Sequence, residues 1–329
     1  MIKILFVLVV ATAVAASELR SRDIADFVNK QETTWTATVY PRFADIEEAK
    51  KYLGVKINPN SPRPQLPVKP ATSLKVEDMP KEFDAREKWA QCASIGHIGD
   101  QSKCGSCWAY GAATSMTDRI CIHNGKTVNV SVADLLSCCV TCGNGCEGGD
   151  PYSAFYYWMH EGIVTGGDYG SEQGCWPYPF PPCEHHVVGP RPSCAGDLYP
   201  TPKCAQECRD GYGKHYEDDK TFAIKAYEVG NTEQDMMKEL MTNGPFEVDF
   251  SVYDDFFTYK SGIYRHVTGE LDGGHAVRLI GWGEENGVKF WRIANSWNSD
   301  WGENGYFRIV RGADECGIED DGVAGMPKA

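Results

Sequence analysis

Gln101-Ser102-Lys103-Cys104-Gly105-Ser106-Cys107-Trp108 decides how this chain is read. From Ser106 onward, Trp108, Ala109, Ala112, Ala113, Met116 and Ile120 recur at intervals of three and four, which predicts a buried amphipathic helix with Cys107 at its opening. A thiol attacks a carbonyl carbon only as thiolate, and the unpaired N–H groups and positive dipole end of a helix N-terminus favour that form. Gln101, six residues before Cys107, is placed to offer its side-chain amide, with the backbone N–H of Cys107, to the oxyanion that attack creates. Cys104-x-x-Cys107 has two other readings, a redox dithiol and half of a zinc site. The first calls for a strand within a βαβ unit before it, the second for another ligand pair in closed geometry, and neither context is evident. Cys139 and Cys142 repeat the spacing, but Cys138 and Cys146 crowd the same segment in a way that suits bridging.

A thiolate of this kind needs an imidazolium partner held in one orientation. Of eight histidines, His275 is the best placed. It follows Gly273 and Gly274, which permit close approach of a substrate backbone, and it begins the apolar run Ala276 to Ile280. Asn295, in Asn295-Ser296-Trp297, is positioned to accept a hydrogen bond from the ring while Trp297 shields the pair from water. Phe246 to Val252, Ala276 to Ile280, Phe290 to Ala294 and Tyr306 to Val310 read as strands between Gly and Asn turns. Ser131-Val132-Ala133-Asp134 is a capping-box-like start to a second helix. A helical front on a β-rich back makes the fold class α+β.

The 329 residues are 42% hydrophobic and 12% aromatic, enough for a substantial core. A net charge of -14 without Lys or Arg clusters argues against nucleic acid as a partner. Lys3, the apolar run Ile4 to Val10 and small residues through Ala16 form a secretory signal peptide over residues 1–16, too short for a membrane anchor; no later stretch reads as a span. All 14 cysteines fall between Cys92 and Cys316, so export would bridge most of them. Asn129-Val130-Ser131 is an N-glycosylation sequon. Residues 17–78 lack cysteine, place Ile24, Phe27 and Val28 at helical spacing, and contain the proline-rich stretch Asn58 to Pro70. They read as a docking helix and linker that hardly fold alone.

Together these residues resemble the papain family of cysteine peptidases, whose local signature runs Cys-Gly-Ser-Cys-Trp, and within it the cathepsin B branch. The likeness extends through the mature start Met79-Pro80-Lys81-Glu82-Phe83-Asp84-Ala85-Arg86 and the ending Cys316-Gly317-Ile318-Glu319. It implies a two-domain fold with an active-site cleft between a helical lobe (roughly 90–225) and a β-barrel-like lobe (roughly 226–329). It implies an inhibitory propeptide over 17–78 and a mature peptidase over 79–329, with endopeptidase and C-terminal dipeptide-releasing activity and no cofactor or metal. Peptide and protein substrates, the propeptide itself and cystatin-type inhibitors are the implied partners, in a lysosome or an extracellular or gut lumen.

The resemblance also gives residues 183–194 as an occluding loop in which His185 and His186 bind a substrate's terminal carboxylate. In it His185 pairs with Asp100, and Arg191 with Asp300. Gly148 and Gly149 become a backbone ladder for substrate, and Gly274 and Trp297 line the cleft. The implied disulfides are Cys92–Cys121, Cys104–Cys146, Cys138–Cys204, Cys139–Cys142, Cys175–Cys208 and Cys183–Cys194, with Cys316 a buried structural thiol. Ser102 and Lys103 stand where the family shows Gly and a small residue, and Asp321 stands where the branch has a glutamate at the bottom of the S2 pocket. The competing reading, a non-catalytic secreted peptide-binding protein of the same fold, predicts loss of the nucleophile, histidine or asparagine, and all three are present.

Overall fold

Ser21, Ile24, Ala25 and Val28 put one apolar stripe on a helix, α1 (residues 20–30), and that stripe is buried while Phe27 points outward. It belongs to a computed structural model that describes residues 20–55, 63–70, 73–183, 191–192 and 197–329. After α1 the chain forms a short strand, β1 (Trp35–Ala37), absent from the sequence reading, and a single helical turn, α2 (Ile46–Ala49), capped by Asp45. Ile24, Val28, Trp35, Phe43, Ile46 and Tyr52 pack into one cluster with Phe256, Phe257, Trp297 and Trp301 of the C-terminal half. Burial of each such side chain contributes about 1.5–3 kcal/mol, so the front segment is bound chiefly by a core it shares.

The helical lobe follows β2 (Phe83–Asp84) and α3 (Ala85–Lys88) with α4 (Cys107–Asn124), α5 (Val132–Cys138), α6 (Pro151–His160) and α7 (Tyr216–Asp219). Cys107 is the first residue of α4, which ends at Gly125 in the left-handed conformation, φ 65°. The helix is not amphipathic as its spacing suggested. Between Cys107 and Cys121 only Thr114 escapes burial, because α5 and α6 cover one side and the sheet covers the other. Ser131 caps α5 by accepting the Asp134 N–H.

The β lobe comprises β3 (Ala223–Val229), α8 (Glu233–Asn243), β4 (Phe246–Tyr253), β5 (Tyr259–Tyr264), β6 (Leu271–Glu285), β7 (Val288–Ala294), β8 (Tyr306–Val310) and β9 (Gly322–Pro327). Its order is β1-β5-β8-β7-β6-β4-β9-β3, with β2 on β6, and β5–β8 is the parallel pair. Thus the front segment extends the sheet of the C-terminal half at one edge. Strand β6 is far longer than the run Ala276 to Ile280. Its glycines fit because other chain segments come close: a Cβ on Gly281 would lie 2.5 Å from the Phe83 carbonyl oxygen. Disulfides join Cys92–Cys121, Cys104–Cys146, Cys138–Cys204, Cys139–Cys142 and Cys175–Cys208. Cys183 is also bridged; Cys194 lies outside the described residues. Cys316 is half-buried rather than buried, on a turn with φ 56° that holds its thiol beside Glu315.

Candidate active site

The first turn of α4 has no side-chain cap, since the Ser106 hydroxyl is taken by Tyr178 at 2.9 Å. The Cys107 sulfur therefore meets main-chain N–H groups: those of Trp108, of Ala276 on β6, and of Gly54 from the front segment at 3.1 Å. Ala276 follows His275, whose Nε2–H donates to Asn295 Oδ1 at 2.7 Å. Asn295 Oδ1 also accepts the Ser296 N–H at 2.8 Å, which fixes the amide and hence the tautomer. His275 Nδ1 is left as the ring's acceptor, buried and without a hydrogen-bond partner among the described residues. Trp297 tilts against the imidazole with centroids 4.6 Å apart. Burial pushes the Cys107 thiol up to about 12 and pulls the His275 imidazole down to about 4, so both are neutral beneath the front segment.

Gln101 has its amide engaged. Nε2 donates to the Tyr52 and Cys104 carbonyls, both at 2.8 Å, and Oε1 accepts from Ser296 Oγ at 2.7 Å. Gly149 N–H donates to the Gly54 carbonyl at 2.8 Å, and Val55 N–H donates to Gly274 at 3.1 Å. Gly148 has to be glycine here, with φ 108° and a virtual Cβ 2.7 Å from Gly54 O. The stretch Tyr52–Val55 thus lies on Cys107, Gln101, Gly149 and Gly274 at once. Ser102 holds φ 54°, a conformation glycine takes more cheaply, tied by Asp100 to its N–H and by its hydroxyl to Pro181. Lys103 is 3% exposed and 2.9 Å from Glu48 of the front segment.

Several residues around the cleft were not singled out in the sequence. Arg42 forms a buried two-pronged pair with Asp100, at 2.5 and 3.1 Å, and also donates to the Trp297 carbonyl. Arg63 reaches Asp150 at 3.0 Å and Asp321 at 2.9 Å while lying 3.9 Å over the Tyr152 ring. The partners are 58, 87 and 258 residues apart, so no local pattern could announce them. Arg191 pairs with Asp300 and stands 3.9 Å from Asp100. His185 and His186 lie outside the described residues. Asn129 is half-buried and donates to Gln173 at 2.9 Å. Among the described residues there is no cluster of metal-ligating side chains and no helix long and apolar enough to cross a membrane.

Residues 79–326 match the family described as papain family cysteine protease. The chain belongs to the papain family. It is accordingly a cysteine peptidase, and its front segment is the propeptide that covers the cleft. This papain-family chain is 49% identical over 322 residues to cathepsin B-like cysteine proteinase 6 of Caenorhabditis elegans, covering 95% of this chain and 85% of that one. It is 49% identical to the cathepsin B-like cysteine proteinase of Schistosoma japonicum, over 94% and 91% of the two chains. Among solved structures it resembles procathepsin B S9 from Trypanosoma congolense, with a TM-score of 0.79, 39% identity, and 93% and 97% covered. Likeness to a proenzyme structure agrees with the placement of residues 20–55 on the cleft.

Proposed function

We propose that the chain is the zymogen of a cathepsin B-like peptidase that cuts internal peptide bonds and releases C-terminal dipeptides. Cys107 is the nucleophile, His275 Nδ1 takes and returns its proton, and Asn295 orients the ring. The Gln101 amide and Cys107 N–H receive the oxyanion, and Gly149 and Gly274 bind the substrate main chain. The observation that carries this reading is the seat of Tyr52–Val55, a peptide already bound to those same groups. It is not cut because it turns an amide N–H, that of Gly54, toward the sulfur instead of a carbonyl carbon.

Removing the propeptide, residues 17–78, returns water and substrate to the cleft. That relieves the burial that keeps Cys107 and His275 neutral, and the proton passes from sulfur to ring. His185 and His186 of the loop 183–194 then anchor the substrate's terminal carboxylate. Asp100, held by Arg42 in the precursor, becomes available to His185. Asp321 lines the pocket for the P2 side chain, cystatin-type proteins inhibit the mature enzyme, and Asn129 is its glycosylation site. The signal over residues 1–16 sends it to a lysosome or an extracellular lumen. The test is Cys107→Ala: activated variant and wild type are compared on a fluorogenic peptide, with an expected loss in kcat/KM of about 10⁴-fold or more. Turnover within tenfold of wild type would refute the assignment.

A further inference from the structure

Lys103 is a long cation in the loop before the nucleophile, where the papain-family resemblance implies a small residue, and the chemistry assigned to the site leaves its charge unused. The backbone that carries it is held firmly. Ser102 is tied on both sides, its N–H donating to Asp100 at 2.7 Å and its hydroxyl to the Pro181 carbonyl at 2.7 Å. The Lys103 carbonyl accepts the Tyr199 N–H at 2.9 Å, and Tyr199 stacks on Phe180. Cys104 is bridged to Cys146, and the Gly105 N–H donates to the Cys146 carbonyl at 2.8 Å. A charge on a backbone fixed in this way is preorganised, so meeting an anion costs it less entropy than it would on a loose loop.

The propeptide displays what that charge takes. Lys103 Nζ, on a side chain 3% exposed, lies 2.9 Å from Glu48 Oε2 on α2, and Lys51 Nζ donates to the other oxygen of Glu48 at 2.6 Å. Burial would raise the Glu48 carboxyl, but Lys51 and Lys103 hold it below the ordinary range, so an ionised carboxylate rests on Lys103 in the precursor. Glu48 and Lys51 both leave with the propeptide, and Lys103 stays. Burial of a cation is costly unless an anion offsets it, so the vacated seat favours another carboxylate. Elsewhere the cleft is acidic, with Asp100, Asp150 and Asp321 along it, in a chain of net charge -14. Asp197, 3.9 Å from Lys51, and Glu147, just before Gly148, are acids on the same rim as Lys103, but both are exposed and screened by water and salt.

Tyr52 fixes where this seat falls along a substrate. Its carbonyl accepts from Gln101 Nε2 at 2.8 Å, the place the proposed mechanism gives to the carbonyl of the P1 residue. Glu48 stands four residues earlier, about 6 Å away along a helical path, and an extended glutamate side chain on a P1 residue covers about 5 Å. The wall between the two is Gly105 and Cys146: a Cβ on Gly105 would lie 2.6 Å from the Cys146 carbonyl oxygen and 3.4 Å from that of Lys51. Resting on the assignment of Cys107 and Gln101 to catalysis, we infer that Lys103 is a specificity residue of the mature peptidase and draws a glutamate side chain at P1 into the seat that Glu48 holds in the precursor. Its ammonium touches no reacting atom. It attracts the carboxylate equally before and during reaction, so its effect falls on KM rather than kcat, and it repels an arginine at P1 by the same means.

The experiment measures kcat and KM of the activated enzyme at about pH 6.5, above the ordinary glutamate range, on fluorogenic dipeptide amides that share Phe at P2 and carry Glu, Gln or Arg at P1. In low salt the wild type is expected to cleave the Glu amide about threefold better than its neutral isostere, the Gln amide, and to lose that advantage near 1 M salt. In Lys103→Met the Glu-to-Arg ratio of kcat/KM falls about tenfold, chiefly through KM, while the Gln amide is cleaved within about threefold of wild type. Lys103→Arg keeps the wild-type ratio, and Lys103→Glu lowers it about tenfold further. Equal cleavage of the Glu and Gln amides by the wild type in low salt, a preference for Glu that persists undiminished near 1 M salt, or a Lys103→Met ratio equal to wild type overturns the inference. The first two of these are read on the wild type alone, so they decide even if a variant fails to fold. An activated wild type that cleaves none of the amides fails as a peptidase, which is the reading beneath this one.

Discussion

Between Tyr52 and Val55 the propeptide makes its polar contacts with the cleft through its main chain, whereas on either side of that stretch it adds, to the shared core and the β1–β5 pairing, contacts of side-chain charge: Arg20 on Asp254, Arg42 on Asp100, Lys50 on Asp272, Arg63 on Asp150 and Asp321. The two regions answer to different physics. Main-chain hydrogen bonds ignore salt and ordinary pH but demand close approach, and a virtual Cβ on Gly54 would sit 1.9 Å from the Gly105 carbonyl oxygen. Charged pairs tolerate small displacements but respond to protonation and, where exposed, to ionic strength. Occupation of the nucleophile is thus assigned to shape, and the conditions of release to charge.

Labelling of Cys107 by a small alkylating reagent in the full-length precursor, followed by peptide mass, measures how often the cleft opens. The largest effect is expected from Arg42→Ala, which leaves Asp100 buried after losing a two-pronged partner. Breaking such a pair costs about 3–5 kcal/mol, so labelling accelerates roughly 150- to 4000-fold. Burial would raise the Asp100 carboxyl, but Arg42 holds it below the ordinary range. Its contribution is therefore complete above the free-enzyme value and lost as pH falls through the lower bound one, in the region below about pH 4. The gap between Arg42→Ala and wild type should narrow there, and a gap of constant size would detach Asp100 from the response to acid.

Gly54→Ala comes next, probing shape alone. Overpacking against backbone costs about 1–3 kcal/mol, an acceleration of roughly 5- to 150-fold that is the same in low and high salt. A salt-dependent change would break the division between the two regions. The smallest effect belongs to Arg63→Ala, because Arg63 is exposed and its ion pairs and ring contact contribute about 1 kcal/mol together. Labelling should rise a few-fold in low salt and differ little from wild type near 1 M salt; persistence of the full difference there would show that stacking on Tyr152, not charge, holds the residue.

The parts of the site that the sequence made legible are those built from neighbours in the chain: Cys107 after a Gly-Ser turn, and His275 ahead of an apolar run. The glycines of β6 obscured a strand of fifteen residues, Leu271–Glu285, because the reason for them is the approach of Phe83 and other distant atoms. The helix spacing from Trp108 to Ile120 marked one apolar face, but small residues such as Gly111 and Ser115 gave no sign that the remaining faces would also be covered. Nothing near Glu247 and Asp249 in the chain announces that they are buried, because the helix over Glu247 lies more than a hundred residues earlier. Asp321 stood out only through the family resemblance, and its partner Arg63 not at all.

Trp35, Phe43 and Tyr52 do more than rest on the C-terminal half, since they interleave with Phe257, Trp297 and Trp301 in a single packed cluster. The chain therefore completes its interior while the propeptide is still attached, and proteolysis later withdraws side chains from an interior already assembled. What survives is a molecule missing part of its own mould.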